Sequence, residues 1–414
     1  MLRERVREIF QRKPGRYEAV DGMRALAVLW VMIFHVGFVW GHLVPPESYT
    51  AYLFAPWNWI WSKGFFAMNL FFVISGFLIG DLLIAETERK GEIGFRAFYL
   101  RRFFRLAPAY YLVLAGLVAY GLFHPGLYRV ESVWTNVLYV NNWFTQRHQP
   151  AEWAWSLAVE EQFYLVCPLL ILALFRRKIR PALAIPALIL GGVAYTYFVA
   201  STKGPFPLTY HPSQGIDDYY RYFDAFYANT FVRASALLLG VGCAYLRRSE
   251  RWMARFGSPI GGMALAAFFF AMTFLCLDPA RNPPPGAPTR PLQMSLLNSL
   301  SALSFAGVLI LGLTGSRIGG FFRRVLSAPF FFPIAQLSYG LYLLHVPVIT
   351  FVYRFFPPPP EMSLGSIIAY SLGAVAATLV FAFLLNVLFE SPARKFGARL
   401  AKRAERAKRI GEAA

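Results

Sequence analysis

The chain has 414 residues, of which 57% are hydrophobic, 17% aromatic and only 15% charged; 41 basic residues against 22 acidic ones give a formal charge of +19. Its mean hydropathy is +0.45. A typical soluble domain is about 25% charged, disordered chains are poor in Phe, Leu and Val, and three cysteines cannot staple so long a chain, so all three classes are excluded. A soluble nucleic-acid binder would account for the basic excess but not for the shortage of charge. What remains is an all-α polytopic membrane protein, whose apolar runs must cross about 30 Å, or roughly 20 helical residues.

Residues 1–20 are charged throughout and lack a signal-peptide cleavage pattern. They read as a basic cytoplasmic segment, either an interfacial helix or a solvated tail. The membrane domain is expected over 21–390. Its first span, 22–41, carries Arg24 one turn in and His35 eleven residues later. Eleven residues are close to three turns, so the two share a face about 16 Å apart. Ionisable groups inside a bilayer are costly and point to function; the plainer alternatives are a snorkelling arginine and a packing histidine.

The second span, 65–84, contains Asn69, Ser75, Gly76 and Gly80. The small residues suit close helix packing, and Asn69 needs a buried partner. The following loop ends in Arg101-Arg102-Phe-Phe-Arg105. Arg101 and Arg105 stand four apart at a helix start, which suits a bound polyphosphate, although retention of basic loops on one side also explains the cluster. The third span is 107–124. Segment 134–144 is polar-aromatic and too short to cross, so it reads as interfacial or re-entrant.

The fourth span, 157–175, follows Trp153, Trp155 and Ser156 and holds Glu160, Glu161 and Tyr164. Neighbouring helix residues point about 100° apart, so one carboxylate is expected to be central. Spans at 182–200 and 231–246 come next, and Arg233 near the start of the latter is placed to neutralise Glu160 or Glu161. After 259–277 and 295–313, the ninth span, 330–353, lines up Ser338, Tyr342 and His345 on one face. The tenth is 364–388, and 391–414 reads as a basic solvated tail. The proline-rich stretches 278–288 and 357–360 stiffen connections.

Charge supports the layout. Alternate loops and tails hold 31 basic residues against 8 in the remaining loops, with Arg24 and Arg233 inside spans. The basic side is expected to be cytoplasmic, with both termini there, so the +19 charge implies no nucleic-acid partner. No closely spaced cysteine pair, His-Glu-x-x-His run, Walker sequence or nucleophile elbow is present, and no metal is expected.

The blocks DGMRALAVLWVMIFH, NLFFVISGFLI, RRFFRLAPAYY, WSLAVEEQFYL, LSYGLYLLH and FESPARKF, in that order, resemble the acyltransferase 3 family of integral membrane O-acyltransferases, in its stand-alone form. The resemblance implies a core of about ten helices in the bacterial cytoplasmic (inner) membrane. It implies a cytoplasmic acyl-coenzyme A donor, acetyl-CoA above all, and a hydroxyl acceptor on a glycan or glycosylated molecule at or across the outer face. The family residue matching Asn69 is frequently Asp; here it is neutral, which suits hydrogen bonding rather than base catalysis.

On that footing, Arg24, Arg101 and Arg105 are expected to hold the donor phosphates and His35 to act as general base. Glu160 is expected, from depth alone, to orient or charge-balance a core histidine. Trp155, Ser156 and Tyr164 are candidates for the acceptor side, and Asn69, Ser75 and Tyr342 for the oxyanion donors; Arg233, Ser338 and His345 complete the candidate set. A secondary transporter, or a flippase for a lipid-linked glycan, would also bury a histidine and a glutamate.

Overall fold

The computed structural model describes residues 2–12, 17–124, 129–204, 206, 216–277 and 290–413. The proline-rich stretch 278–288 lies outside them. In chain order the helices are α1 (Leu2–Phe10), α2 (Glu18–Gly41), α3 (Pro46–Phe54), α4 (Ala67–Lys90), α5 (Phe95–Phe123), α6 (Val133–Val137), α7 (Trp155–Arg176), α8 (Pro181–Lys203) and α9 (Ile216–Tyr222). They continue with α10 (Thr230–Leu246), α11 (Glu250–Gly257), α12 (Pro259–Leu277), α13 (Pro291–Leu313), α14 (Arg317–Leu326), α15 (Phe331–Phe355), α16 (Leu364–Leu385) and α17 (Ser391–Ala413). No strand occurs among the described residues.

Eight helical stretches are long and apolar enough to cross a membrane, or up to ten when two bent pairs each count as one span. The segments joined at the start of α10 bend by 41°, and α11 and α12 meet at 78°. Each of the ten expected runs overlaps one of these stretches. The weakest run, 231–246, is short because its companion, Asp217–Tyr227, is polar enough to escape a hydropathy reading.

Helix α4 is the axis of the bundle, because its polar and small residues need partners on every side. On one side its backbone touches that of α10. A side chain on Gly76 would collide with the Leu237 carbonyl, and one on Gly240 with the Val73 carbonyl. Lipid supplies no hydrophobic drive between helices, so this close van der Waals approach is what holds them. At one end of the same pair, Asp81 gathers Arg248 at 2.6 Å, Arg247 at 3.1 Å and the Tyr17 hydroxyl at 2.6 Å. These contacts tie the starts of α2 and the α10–α11 turn to α4.

The basic segments collect at this end. Lys395 of α17 lies 3.0 Å from Glu8 of α1, Arg101 of α5 pairs with Glu405 of α17 at 2.9 Å, and Arg12 donates to the Ser327 carbonyl at 2.8 Å. Helices α1 and α17 are therefore docked on the bundle. Ile9 of α1 is buried. Helix α17 packs on α5, with Phe396 edge-on to Phe104 at 5.2 Å and Gly397 tight against that same ring. At the opposite end, α3 closes over α2: the Tyr52 ring fills the space beside Gly37, and Tyr353 donates to the Val36 carbonyl at 2.7 Å. Segment 134–144 folds between the spans as α6 and one further short turn. Its Asn136 and Asn142 are buried, and Gln162 of α7 donates to the Tyr139 carbonyl at 2.9 Å.

Because α4 and α10 meet backbone to backbone, Gly76→Leu is expected to lower stability in detergent by about 1–3 kcal/mol, the usual range for overpacking. Gly116→Ala, where an added Cβ meets nothing within 4 Å, is expected to be neutral. Thermal unfolding of the two variants measures the difference.

Candidate active site

Two cavities face each other in the core. One, of about 440 Å³, is lined by His35, Phe34, Phe38, Ser62, Glu152, Trp153, Trp155, Tyr220 and Tyr227. The other, of about 310 Å³, is lined by Arg24, Ser75, Arg102, Arg105, Ser156, Glu160, Tyr164, Ser338, Glu390 and Arg394. Met68 and Tyr342 line both, so they form the partition. A third hollow of about 550 Å³ shares Arg24, Leu78, Gln336 and Arg394 with the second and carries it to the basic end of the bundle, beside Glu8, Arg12 and Lys395.

His35 reaches its cavity from α2. Its Nδ1 lies 2.8 Å from the Val31 carbonyl. A carbonyl only accepts, so Nδ1 carries the proton and Nε2 keeps its lone pair. That is the tautomer a base needs. His345 of α15 stands against it, ring centroids 4.7 Å apart and edge to face. It is completely buried, its Nδ1 lies 2.6 Å from the Tyr342 carbonyl, and its Nε2 has no partner among the described residues. The pair thus presents two imidazoles of the same tautomer.

Tyr342 is fixed between them and the second cavity. Its hydroxyl donates to the Trp153 carbonyl at 2.5 Å, and Ser156 Oγ lies 2.6 Å away. Since the tyrosine proton is committed, Ser156 is the donor of that second bond. In the second cavity Arg24 donates to Ser338 Oγ at 2.7 Å. Tyr164 donates to Glu160 Oε2 at 3.1 Å and lies 2.9 Å from Ser75 Oγ. The Arg102 guanidinium lies 5.8 Å from the Tyr164 ring centre. Four arginines and two glutamates on the wall leave the cavity net basic, suited to a multiply charged anion.

The structure separates several residues expected together. Glu160 makes no hydrogen bond to His35 or His345; it belongs to the arginine cavity. Ser156 and Tyr164 belong there too, and of the residues expected on the acceptor side Trp155 alone faces His35. Arg101 does not line the arginine cavity: Arg102 does, while Arg101 is turned to Glu405. Arg233 meets neither Glu160 nor Glu161. It is 4% exposed, donates to Asn69 Oδ1 at 3.1 Å, Asn298 Oδ1 at 2.8 Å and the Tyr227 carbonyl at 2.7 Å, and sits over the Tyr227 ring at 4.4 Å. Asn69 spends its own donors on Ser301, at 2.7 Å, and Asn298, and lines none of the three cavities. Sequence reasoning missed Arg102, Glu152, Glu390 and Arg394. The last two carried a signal, standing four apart in FESPARKF at the end of the tenth apolar run.

The family model described as an acyltransferase domain matches residues 17–387. The chain belongs to this acyltransferase family. It is 27% identical to peptidoglycan O-acetyltransferase OatA of Listeria monocytogenes over 92% of its own length and 56% of the relative's. It is 28% identical to O-acetyltransferase OatA of Staphylococcus aureus over 93% of its length and 58% of the relative's. The chain thus spans a little over half the length of these relatives. No solved structure matches it. Spanning helices and bacterial relatives together make it a multi-pass protein of the bacterial cytoplasmic membrane. Among the described residues no three His, Cys, Asp or Glu side chains gather as metal ligands.

The arginine cavity is expected to bind a simple polyanion. Inorganic pyrophosphate should raise the thermal midpoint of the purified protein. Arg102→Ala should remove most of that shift, and Arg101→Ala should keep it, because Arg101 is already paired outside the cavity.

Proposed function

We propose that this acyltransferase-family chain moves an acetyl group from acetyl-CoA to a hydroxyl of a glycan-type acceptor, with the donor entering from the basic, cytoplasmic end. The observation that carries the reading is the pair of cavities meeting at Tyr342 and Met68, one lined by arginines and the other by a histidine with a free Nε2. The relatives' names, both O-acetyltransferases, agree with it.

In this reading Arg24, Arg102, Arg105 and Arg394 hold the phosphates of the donor. Ser338 fixes the Arg24 side chain, so the guanidinium faces the ligand without a large entropic cost. The eleven-residue spacing of Arg24 and His35 sets about 16 Å between phosphate site and base, which the donor's extended arm crosses past Tyr342. The acceptor occupies the His35 cavity. Nε2 of His35 takes the hydroxyl proton as the oxygen attacks the thioester carbonyl, forming the new C–O bond. The tetrahedral intermediate then breaks its C–S bond, and the departing thiolate recovers the proton from the imidazolium. No covalent enzyme intermediate is needed. His345, stacked edge-on, holds the His35 ring in place and keeps water away from one side of it.

Glu160 has a different part here from the one expected of it. Accepting from Tyr164 among arginines, it spaces the cations and keeps them from repelling one another in the absence of donor. Asn69 stands apart from the oxyanion, because its amide donors serve Ser301 and Asn298.

His35→Ala is expected to abolish transfer, by at least about 10²-fold as for loss of a general base, while coenzyme A still binds. Arg24→Ala is expected to weaken coenzyme A binding about tenfold, the loss of one charge-assisted contact. Mass-spectrometric detection of acetylated product and titration of coenzyme A read the two separately. Full turnover in the first variant, or unchanged affinity in the second, would remove that residue from the mechanism.

A further inference from the structure

The His35 cavity contains a carboxylate that the transfer chemistry does not use. Glu152 stands in the short turn Glu152–Ala154 leading into α7 and lines the cavity beside Trp153 and Trp155. Tyr220 donates its hydroxyl to Glu152 Oε1 at 2.9 Å. Among the described residues that is its side chain's one hydrogen bond. Two arginines share the wall, and Arg129 attracts the Glu152 carboxylate through space without a hydrogen bond to it among the described residues. Arg147 pairs with Asp217 at 2.7 Å, and Arg129, exposed at the rim, lies 3.3 Å from His148. Rim charge is screened by solvent and salt.

A carboxylate accepts through two oxygens and about four lone pairs. With one tyrosine hydroxyl on one oxygen, Glu152 keeps most of that capacity facing the cavity. Polar capacity set in an aromatic wall is costly to leave unused, so a ligand that donates there gains. The wall also defines the ligand's shape. Trp153, Trp155 and Tyr220 bring aromatic rings to the wall, and a saccharide ring has an apolar C–H face with hydroxyls around its edge. The cavity, at about 440 Å³, is within the range of small-molecule sites. When ionised, Glu152 also rejects: a carboxylate on the ligand would meet like charge in a low-dielectric wall.

We propose that Glu152, held by Tyr220, selects the acceptor, binding an uncharged saccharide through a hydroxyl next to the one acylated and turning away a ring that carries a carboxylate there. The inference rests on the acyltransferase reading only in taking the His35 cavity as the acceptor site, so its test is binding rather than turnover. The purified full chain in detergent is titrated, by saturation-transfer NMR, with methyl β-D-glucopyranoside and with methyl β-D-glucuronide, which differ in the carboxylate. Wild type is expected to bind the neutral glycoside at least about tenfold tighter. Glu152→Gln keeps the shape and removes the charge, and should bring the two within about threefold. Tyr220→Phe should weaken the neutral glycoside several-fold. Equal affinities in wild type, no binding of either glycoside, or an unchanged ratio in a monodisperse Glu152→Gln protein overturns the proposal. If that variant aggregates, Tyr220→Phe decides, and an unchanged affinity for the neutral glycoside overturns it. Coenzyme A release from acetyl-CoA by wild type, assayed apart, decides the acyltransferase reading on its own.

Discussion

The hydroxyl of Tyr342 is the junction on which the interior depends. It gives its proton to a backbone carbonyl at the start of α7 and receives one from Ser156. Through those two bonds α15 is fastened to α7 at the depth where the cavities would otherwise run together. The cost of an unpaired polar group in a membrane interior makes such a fastening hard to break. It also fixes what lies on either side. One turn further along α15, His345 is held by the Tyr342 carbonyl, and one turn back Ser338 receives Arg24. A single helix therefore positions the neighbour of His35, the partition and the anchor of the first arginine.

Much of this was legible beforehand. Each apolar run falls on a helical stretch long and apolar enough to cross a membrane, alone or as part of a bent pair, and the basic segments at α1, the α4–α5 region, the α10–α11 turn and α17 gather at one end. Spacing within one helix was equally informative: Ser338, Tyr342 and His345 do share a face, and Arg24 and His35 do line neighbouring cavities. Relations between helices were not legible. Depth along α7 set Glu160 near the histidines, but its azimuth turns it to the arginines. One residue of rotation likewise exchanges Arg101 for Arg102, and Trp155 and Ser156, adjacent in the chain, part to opposite cavities. Polarity misled at the ends. Residues 391–414 look soluble, yet Phe396 and Gly397 supply the contact that seats α17 on α5.

Arg233 shows how a cation survives in the bundle without an anion. Its charge is spread over two asparagine oxygens, one backbone carbonyl and the face of a tyrosine. Each is a weaker partner than a carboxylate, but together they satisfy a planar donor in several directions at once. Asn69 is the member that joins the network to α4, and Asn298 the one that joins it to α13. The network lies behind the wall that carries Trp155, so the aromatic surface of the His35 cavity is backed by a hydrogen-bonded scaffold rather than by soft packing.

The hollow leading to the arginine cavity is bounded partly by α1 and α17, the first and last helices described. A ribosome makes α1 long before α17, and domains assemble as the chain emerges. The early helix must wait, its Glu4 and Glu8 unpaired, until Lys395 and Arg394 arrive. The mouth of the hollow thus takes shape only after both helices have been made.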